Sequence, residues 1–270
     1  MWYRFARLMA LASMAMVGAM AHHHWSAQAA EKRVVRVAAA ADLKFALDEI
    51  REAFQRQHPS IEVVITYGSS GNFYSQLANR APFDMFLSAD LDYPRRLIQQ
   101  NLALAESEFP YAVGSIVLWV QQTSPIAVEK LGIQALLDPS ARKIAIANPR
   151  HAPYGRAAEA AMKNLGVFEK VQGRLVLGEN ITQTAQFVES GAADIGIISR
   201  SLAIAPALRD KGRSWEVPSD AYPRLEQGGV ILSWAEDRAA ADALRSFVLG
   251  DDGKSILGRY GFHPAGSKVE

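Results

Sequence analysis

Four short segments of this chain combine backbone and side chains suited to holding a small anion. They are Ala40-Ala41-Asp42, Gly68-Ser69-Ser70-Gly71, Ala152-Pro153-Tyr154-Gly155 and Glu179-Asn180-Ile181-Thr182. Each follows a run that reads as a strand and opens a stretch with helical spacing. A helix that begins directly after a strand leaves its first N–H groups without an intrahelical acceptor. The helix dipole adds about half a positive charge at the same place. Such termini favour an oxyanion. The hydroxyls of Ser70 and Tyr154 would add donors, which suit a fully ionised ligand because it offers acceptors only. Plain structural roles fit the same residues. Gly-Ser-Ser-Gly is ordinary turn chemistry, Asp42 sits where a helix N-cap belongs, and Tyr154 can pack as the first aromatic of an amphipathic helix.

Other chemistry is poorly served. No Gly-Lys-Ser/Thr follows Gly71, so the loop is not a nucleotide-binding P-loop. Ser70 lacks the Gly-x-Ser-x-Gly elbow of a hydrolase nucleophile, which leaves a secreted hydrolase using Gly68–Gly71 as a remote alternative. With no cysteine there is neither a thiolate nucleophile nor a disulfide framework. His58, His151 and His263 lie at or near prolines and show no metal-ligand spacing. Arg156 reads as a salt-bridge partner, since a full charge in the site would bind many anions alike. No catalytic residue, cofactor or enzymatic activity is expected.

The elements that must position the four segments alternate strand and helix. Strands are expected at 34–39, 61–66, 83–87, 115–120, 143–147, 174–177, 195–198 and 228–233. Helices are expected at 43–54, 73–78, 93–100, 128–137, 154–165, 182–189, 237–249 and 253–260. This rhythm argues α/β architecture, with parallel-rich sheets and helices on both faces. The strands outnumber what one compact sheet of this length needs, so two lobes are expected around a cleft. The chain would cross between them near 109–114 and 217–223, both rich in Pro, Gly and Tyr. Lobe 1 would comprise residues 30–112 and 222–270, and lobe 2 residues 113–221. Ligands in such sheets bind beyond the carboxyl ends of strands.

The amino terminus reads as a secretory signal over residues 1–29. Arg4 and Arg7 precede the charge-free apolar run Leu8–Ala21, and Ala27-Gln28-Ala29 offers a small-x-small cleavage site. Cleavage after Ala21 would instead leave His22-His23-His24 as a tail. The formal net charge is +1, and losing two arginines and no acid leaves −1. A near-neutral chain carries no nucleic-acid footprint, and export without disulfides fits a bacterial periplasm.

Several motifs together resemble one family. They are Ala38-Ala39-Ala40-Ala41-Asp42-Leu43-Lys44-Phe45-Ala46-Leu47, Gly68-Ser69-Ser70-Gly71-Asn72-Phe73 and Ala81-Pro82-Phe83-Asp84-Met85-Phe86-Leu87-Ser88-Ala89-Asp90. The same order continues with Ile144–Pro149, His151–Ala158, Gly178–Ile181, Gly191–Gly196 and Arg259–Phe262. From about Val34 to Phe262 the chain resembles the periplasmic molybdate-binding proteins of ABC importers. The resemblance implies a two-lobed periplasmic-binding-protein fold. It also implies molybdate or tungstate held through its oxygens by uncharged donors, and a membrane permease as partner. A monomer is expected. Carried over by position, the ligand-holding residues are Ala41, Asp42, Ser70, Tyr154 and Ile181, the last through its backbone N–H. Sulfate or phosphate is the alternative ligand within the same fold. One departure matters: relatives place a hydroxyl or amide in the first loop, where this chain has Ala41 and Asp42. An ionised carboxylate facing the anion would repel it. Asp42 is therefore expected to turn away and cap its own helix, so that Asp42→Asn would change affinity little.

Overall fold

The computed structural model describes residues 33–267, and the signal segment with its histidines lies outside them. Two mixed sheets organise the chain. The first begins with β1 (Arg33–Ala40), which runs on into a single 3-10 turn (Ala41–Leu43) and α1 (Lys44–Gln57). The apolar positions Ala46, Leu47, Ile50 and Phe54 recur at helical spacing and are buried, and the helix stops at His58 before Pro59. Next come β2 (Ile61–Gly68), α2 (Ser70–Ala78), β3 (Met85–Ser88) and α3 (Asp92–Gln99). β4 (Phe109–Gly114) ends this passage, and β5 (Ile116–Gln121) is already in the second sheet.

The second sheet then gathers α4 (Val128–Leu131), β6 (Ile144–Ala147), α5 (Pro153–Asn164), α6 (Phe168–Val171), β7 (Leu175–Gly178) and α7 (Ile181–Glu189). It is completed by β8 (Ile195–Ser199), α8 (Arg200–Ala203) and β9 (Gly212–Glu216). The chain returns to the first sheet with β10 (Leu225–Ile231), α9 (Arg238–Leu249), α10 (Asp251–Arg259) and the short β11 (His263–Pro264).

The two sheets share a plan. In the first, the order is β11-β4-β10-β3-β1-β2, with β2, β1 and β3 parallel and β10 antiparallel to β3 and β4. In the second, β7-β6-β8-β5-β9, the first three strands are parallel and β5 is antiparallel to both its neighbours. The fold is thus α/β with two sheets. Side-chain alternation along β1 sends Val37 and Ala39 to the core under α1, α9 and α10, while Ala38 faces Phe73, Leu77 and Leu97 of α2 and α3.

Local differences from the expected elements have simple causes. Strands 109–114, 212–216 and 263–264 take the antiparallel and edge positions, where Pro110 and Gly residues break the apolar pattern that marks a buried parallel strand. The helix expected over 128–137 stops after one turn and continues as 3-10 helix, because Gly132 adopts φ +55°.

Register is what assembles the four segments. Ala40 pairs with Gly68 across parallel β1 and β2, so the junctions at Ala41 and Ser69 emerge side by side. Ala147 pairs with Gly178 across β6 and β7, so Asn148 and Glu179 emerge together, and Asn148 N–H donates to the Gly178 carbonyl at 2.8 Å.

Candidate functional site

The two pairs of junctions meet. Gly71 N–H of α2 donates to His151 O at 2.9 Å, Thr182 Oγ1 of α7 donates to Ala41 O at 2.9 Å, and Ser69 Oγ lies 3.0 Å from His151 Nδ1. Asn72 also hydrogen-bonds Glu179 across this boundary. Gly71 allows the approach: a Cβ there would lie 2.6 Å from His151 O and 2.8 Å from the Tyr93 hydroxyl. Gly155 does the same inside α5, where a Cβ would fall 2.0 Å from Ala147 O. The N-terminal turn of α5 is thereby seated on the end of β6.

Ala41, Tyr154 and Ile181 are buried in one apolar cluster that also contains Ala40 and Ala89. Ser70 is buried beside it, and its Oγ accepts the Ala89 N–H at 3.0 Å. With its lone pair so engaged, the Ser70 hydroxyl proton remains available to donate. Ser70 is the first residue of α2 and Ile181 the first of α7, so both amides lie among the groups a helix cannot satisfy internally. Tyr154 follows Pro153, whose ring removes one donor at the first helical position. Asn180 caps α7, its Oδ1 accepting from Gln183 N–H at 3.0 Å. Four helical starts, those of the 3-10 turn at Ala41, α2, α5 and α7, therefore meet through these pairwise contacts.

Asp42 corrects the capping expectation. Its side chain caps neither the 3-10 turn nor α1. It is 2% exposed and turned inward, where Oδ2 accepts from Tyr154 Oη at 2.9 Å and from Gln227 Nε2 at 2.6 Å. The reason is position: Asp42 lies inside the 3-10 turn, whose N-cap is Ala40, while the N-cap of α1 is Leu43, and two buried side-chain donors reach its carboxylate instead. Burial pushes the Asp42 carboxyl up to about 6, against the opposing pull of the hydrogen bonds from Gln227 and Tyr154. Oδ1 is buried without a partner among the described residues.

The Tyr154 hydroxyl is corrected with it. Its proton goes to Asp42, and its oxygen accepts from Gln227 Nε2 at 3.0 Å, so no hydroxyl donor remains for an anion. Burial and the neighbouring Asp42 raise the Tyr154 phenol well above its ordinary value, which keeps it a neutral donor. Gln227 is oriented by Tyr111, whose Oη lies 3.0 Å from Gln227 Oε1 and 3.0 Å from Ser88 O. Ser201 Oγ donates to Asp42 O at 2.9 Å.

Sequence reasoning missed Gln227, Tyr111 and Ser201. The available signal was Gln227 itself, a polar residue in the middle of β10 that the strand expected at 228–233 left out. Arg156 takes the expected salt-bridge role, its Nη2 on Asp90 and its Nη1 donating to Tyr93 Oη at 3.1 Å. Among the described residues no group of three His, Cys, Asp or Glu could hold a metal ion.

Removing the Ser70 hydroxyl tests its donor role. Ser70→Ala is expected to weaken anion binding by about 1.5 kcal/mol, roughly tenfold, with the amide donors left in place. Unchanged affinity by titration calorimetry would return Ser70 to plain turn chemistry.

With this geometry in view, three comparisons are informative. The family described as bacterial extracellular solute-binding protein matches residues 35–263. The molybdate-binding protein ModA of Azotobacter vinelandii is 37% identical over 238 residues, 88% of this chain and 91% of the relative. The molybdate-binding protein ModA of Rhodobacter capsulatus is 38% identical over 200 residues, 74% of this chain and 77% of the relative. The solved periplasmic molybdate-binding protein of Azotobacter vinelandii superposes with a TM-score of 0.79 at 32% identity, covering 84% of this chain and 98% of that one. The match establishes the two-lobed periplasmic-binding-protein fold. The relatives are binding proteins, in line with the expected lack of enzymatic activity. The chain belongs to the bacterial extracellular solute-binding protein family, with the molybdate-binding proteins as its relatives.

Proposed function

We propose that this protein captures molybdate, and tungstate with it, between two lobes and delivers it to the membrane permease of an ABC importer. Lobe 1 is assigned residues 30–112 and 222–270, and lobe 2 residues 113–221. The observation that carries the reading is the meeting of helix N-termini from both sheets, α2 against α5 and α7, where Arg156 bridges the boundary to Asp90 but, among the described residues, no Lys or Arg side chain hydrogen-bonds Ala41, Asp42, Ser70, Tyr154 or Ile181. Ala41, Asp42 and Ser70 from one side, with Tyr154 and Ile181 from the other, then enclose the anion. Tyr154 contributes its backbone N–H. Dipole-polarised amides suit a small dianion because they hold acceptors without a mobile counter-cation. A ligand that bridges both lobes stabilises the closed arrangement in which the permease recognises it. Periplasmic location after cleavage of residues 1–29, and a monomeric state, complete the reading.

One observation favours a second ligand. The inward Asp42 Oδ1 could accept the O–H of hydrogenphosphate, which molybdate lacks at neutral pH. Titration calorimetry at about pH 6 with molybdate, tungstate, sulfate and phosphate separates the two. Sub-micromolar binding of molybdate and tungstate with no sulfate heat is expected. Tight phosphate binding with neither of those would replace molybdate by the second reading.

A further inference from the structure

Asp42 is a buried group at the junction that a plain oxyanion cradle does not call for. Its Oδ2 is satisfied twice, by Tyr154 Oη at 2.9 Å and Gln227 Nε2 at 2.6 Å. Oδ1 is buried and has no partner among the described residues. Neither donor can be redirected to Oδ1 cheaply. The Tyr154 proton is its only one, and the Gln227 amide is held at its other end by Tyr111.

The surroundings of Asp42 are uncharged on every side. β4 presents Tyr111, α5 presents Tyr154 with Tyr222 beyond it, and β10 presents Gln227. α7 and α8 place Thr182 and Ser201 on the carbonyls of Ala41 and Asp42. Of the charged groups on these helices and on α1, Lys44 pairs with Asp48 at 3.2 Å, Arg156 with Asp90, and Arg200 with Glu216 at 2.7 Å. Glu226 on β10 pairs with Arg224 at 2.9 Å. Among the described residues no cation is hydrogen-bonded or ion-paired to the Asp42 carboxylate. An ionised Oδ1 beside a dianion would set like charges together in a dry site, whereas a protonated Oδ1 would donate a hydrogen bond.

Resting on the oxyanion reading above, we propose that Asp42 Oδ1 and one oxygen of the bound anion share a single proton. A dianion that carries no hydrogen at neutral pH obliges Asp42 to take that proton from solution. The new O–H bond on Oδ1 then donates to the anion, and no other covalent bond forms or breaks. An anion that already carries hydrogen, such as hydrogenphosphate, brings its own proton and leaves Asp42 as the acceptor. Asp42 is thereby a specificity-determining residue: acid favours the bare dianion, and rising pH removes that preference.

Titration calorimetry of the full chain with molybdate, in buffers of different ionisation heat, reads the proton directly. At about pH 8 the uptake of about one proton per molybdate is expected, with affinity falling about tenfold per pH unit above pH 6. Asp42→Asn keeps a donor at this place with no proton to exchange. Its uptake is expected to vanish, its affinity to stay level with pH, and its binding at about pH 8 to exceed that of the unmodified chain roughly a hundredfold. Molybdate heat without proton uptake in the unmodified chain overturns the shared proton while leaving the oxyanion reading intact. Absence of molybdate binding at about pH 6 in both proteins overturns the molybdate reading and, with it, the proton shared with a bare dianion. The unmodified chain decides the matter even if the Asn variant folds poorly.

Discussion

Gly155→Ala is expected to lower stability by about 3 kcal/mol and to weaken anion capture at the same time. The position lies in the first turn of α5, and its added Cβ would sit 2.0 Å from Ala147 O, 2.7 Å from Ala147 C and 2.9 Å from Pro149 N. All three are backbone atoms at the end of β6, so no side chain can swing aside. Overpacking of a tight core site ordinarily costs ~1–3 kcal/mol, and a clash with backbone belongs at the upper end. Relief comes by lifting the α5 N-terminus off the sheet, which carries Tyr154 away from Asp42. For a chain of this size the change corresponds to a melting temperature lowered by roughly 6–12 °C. Urea unfolding and molybdate titration of the variant check both halves. Stability within about 1 kcal/mol of the unmodified protein would mean that α5 is not seated as described.

Asp42→Asn is expected to shift the pH dependence of folding in the absence of ligand. Burial raises the Asp42 carboxyl from 3.8 to about 6 in the folded chain. The folded state therefore holds this proton more tightly than the unfolded state does. The stabilisation is fully present below about pH 4, declines as pH rises toward 6, and is absent above it. Integrated over that window the loss is about 3 kcal/mol. An asparagine does not titrate, so the variant gains about that much relative to the unmodified chain between about pH 4 and pH 7. Comparing the two proteins by urea unfolding at both pH values cancels the other titrating groups. A stability difference that stays constant with pH would show that the carboxyl is not desolvated. The same desolvation makes the carboxyl respond to an anion, so the stability and binding measurements report on one group.

Tyr111, Tyr154 and Gln227 form a neutral bracket around Asp42, and this explains how a carboxyl is tolerated in a site built from donors. Gly114 makes room for the bracket: a Cβ there would lie 2.2 Å from the Tyr154 hydroxyl and 2.8 Å from Gln227 Nε2. The same residue ends β4, immediately before the chain enters the second sheet. Crossing point and site are therefore physically adjoining.

Much of this architecture was legible in the residues alone. The apolar spacing of Leu47, Ile50 and Phe54, the β-branched run from Ile61, and the punctuation at His58-Pro59 are local signals, and local signals decide where helices and strands lie. The four strand-to-helix junctions were equally visible, because strand, turn and helix follow one another in the chain. The antiparallel strands at 109–114 and 212–216 were not, since their pairing partners are distant and their own composition reads as linker. The direction of the Asp42 side chain was beyond any local reading. Sequence offered a helix start, where a carboxylate normally caps. The tertiary structure brought Tyr154 from 112 residues away and Gln227 from 185 residues away to a carboxyl that lies inside the turn and at the N-cap of neither helix. Side-chain type and helix position settled which groups could meet an anion; long-range packing alone decided which of them face each other, because a buried polar atom takes whatever partner the fold delivers.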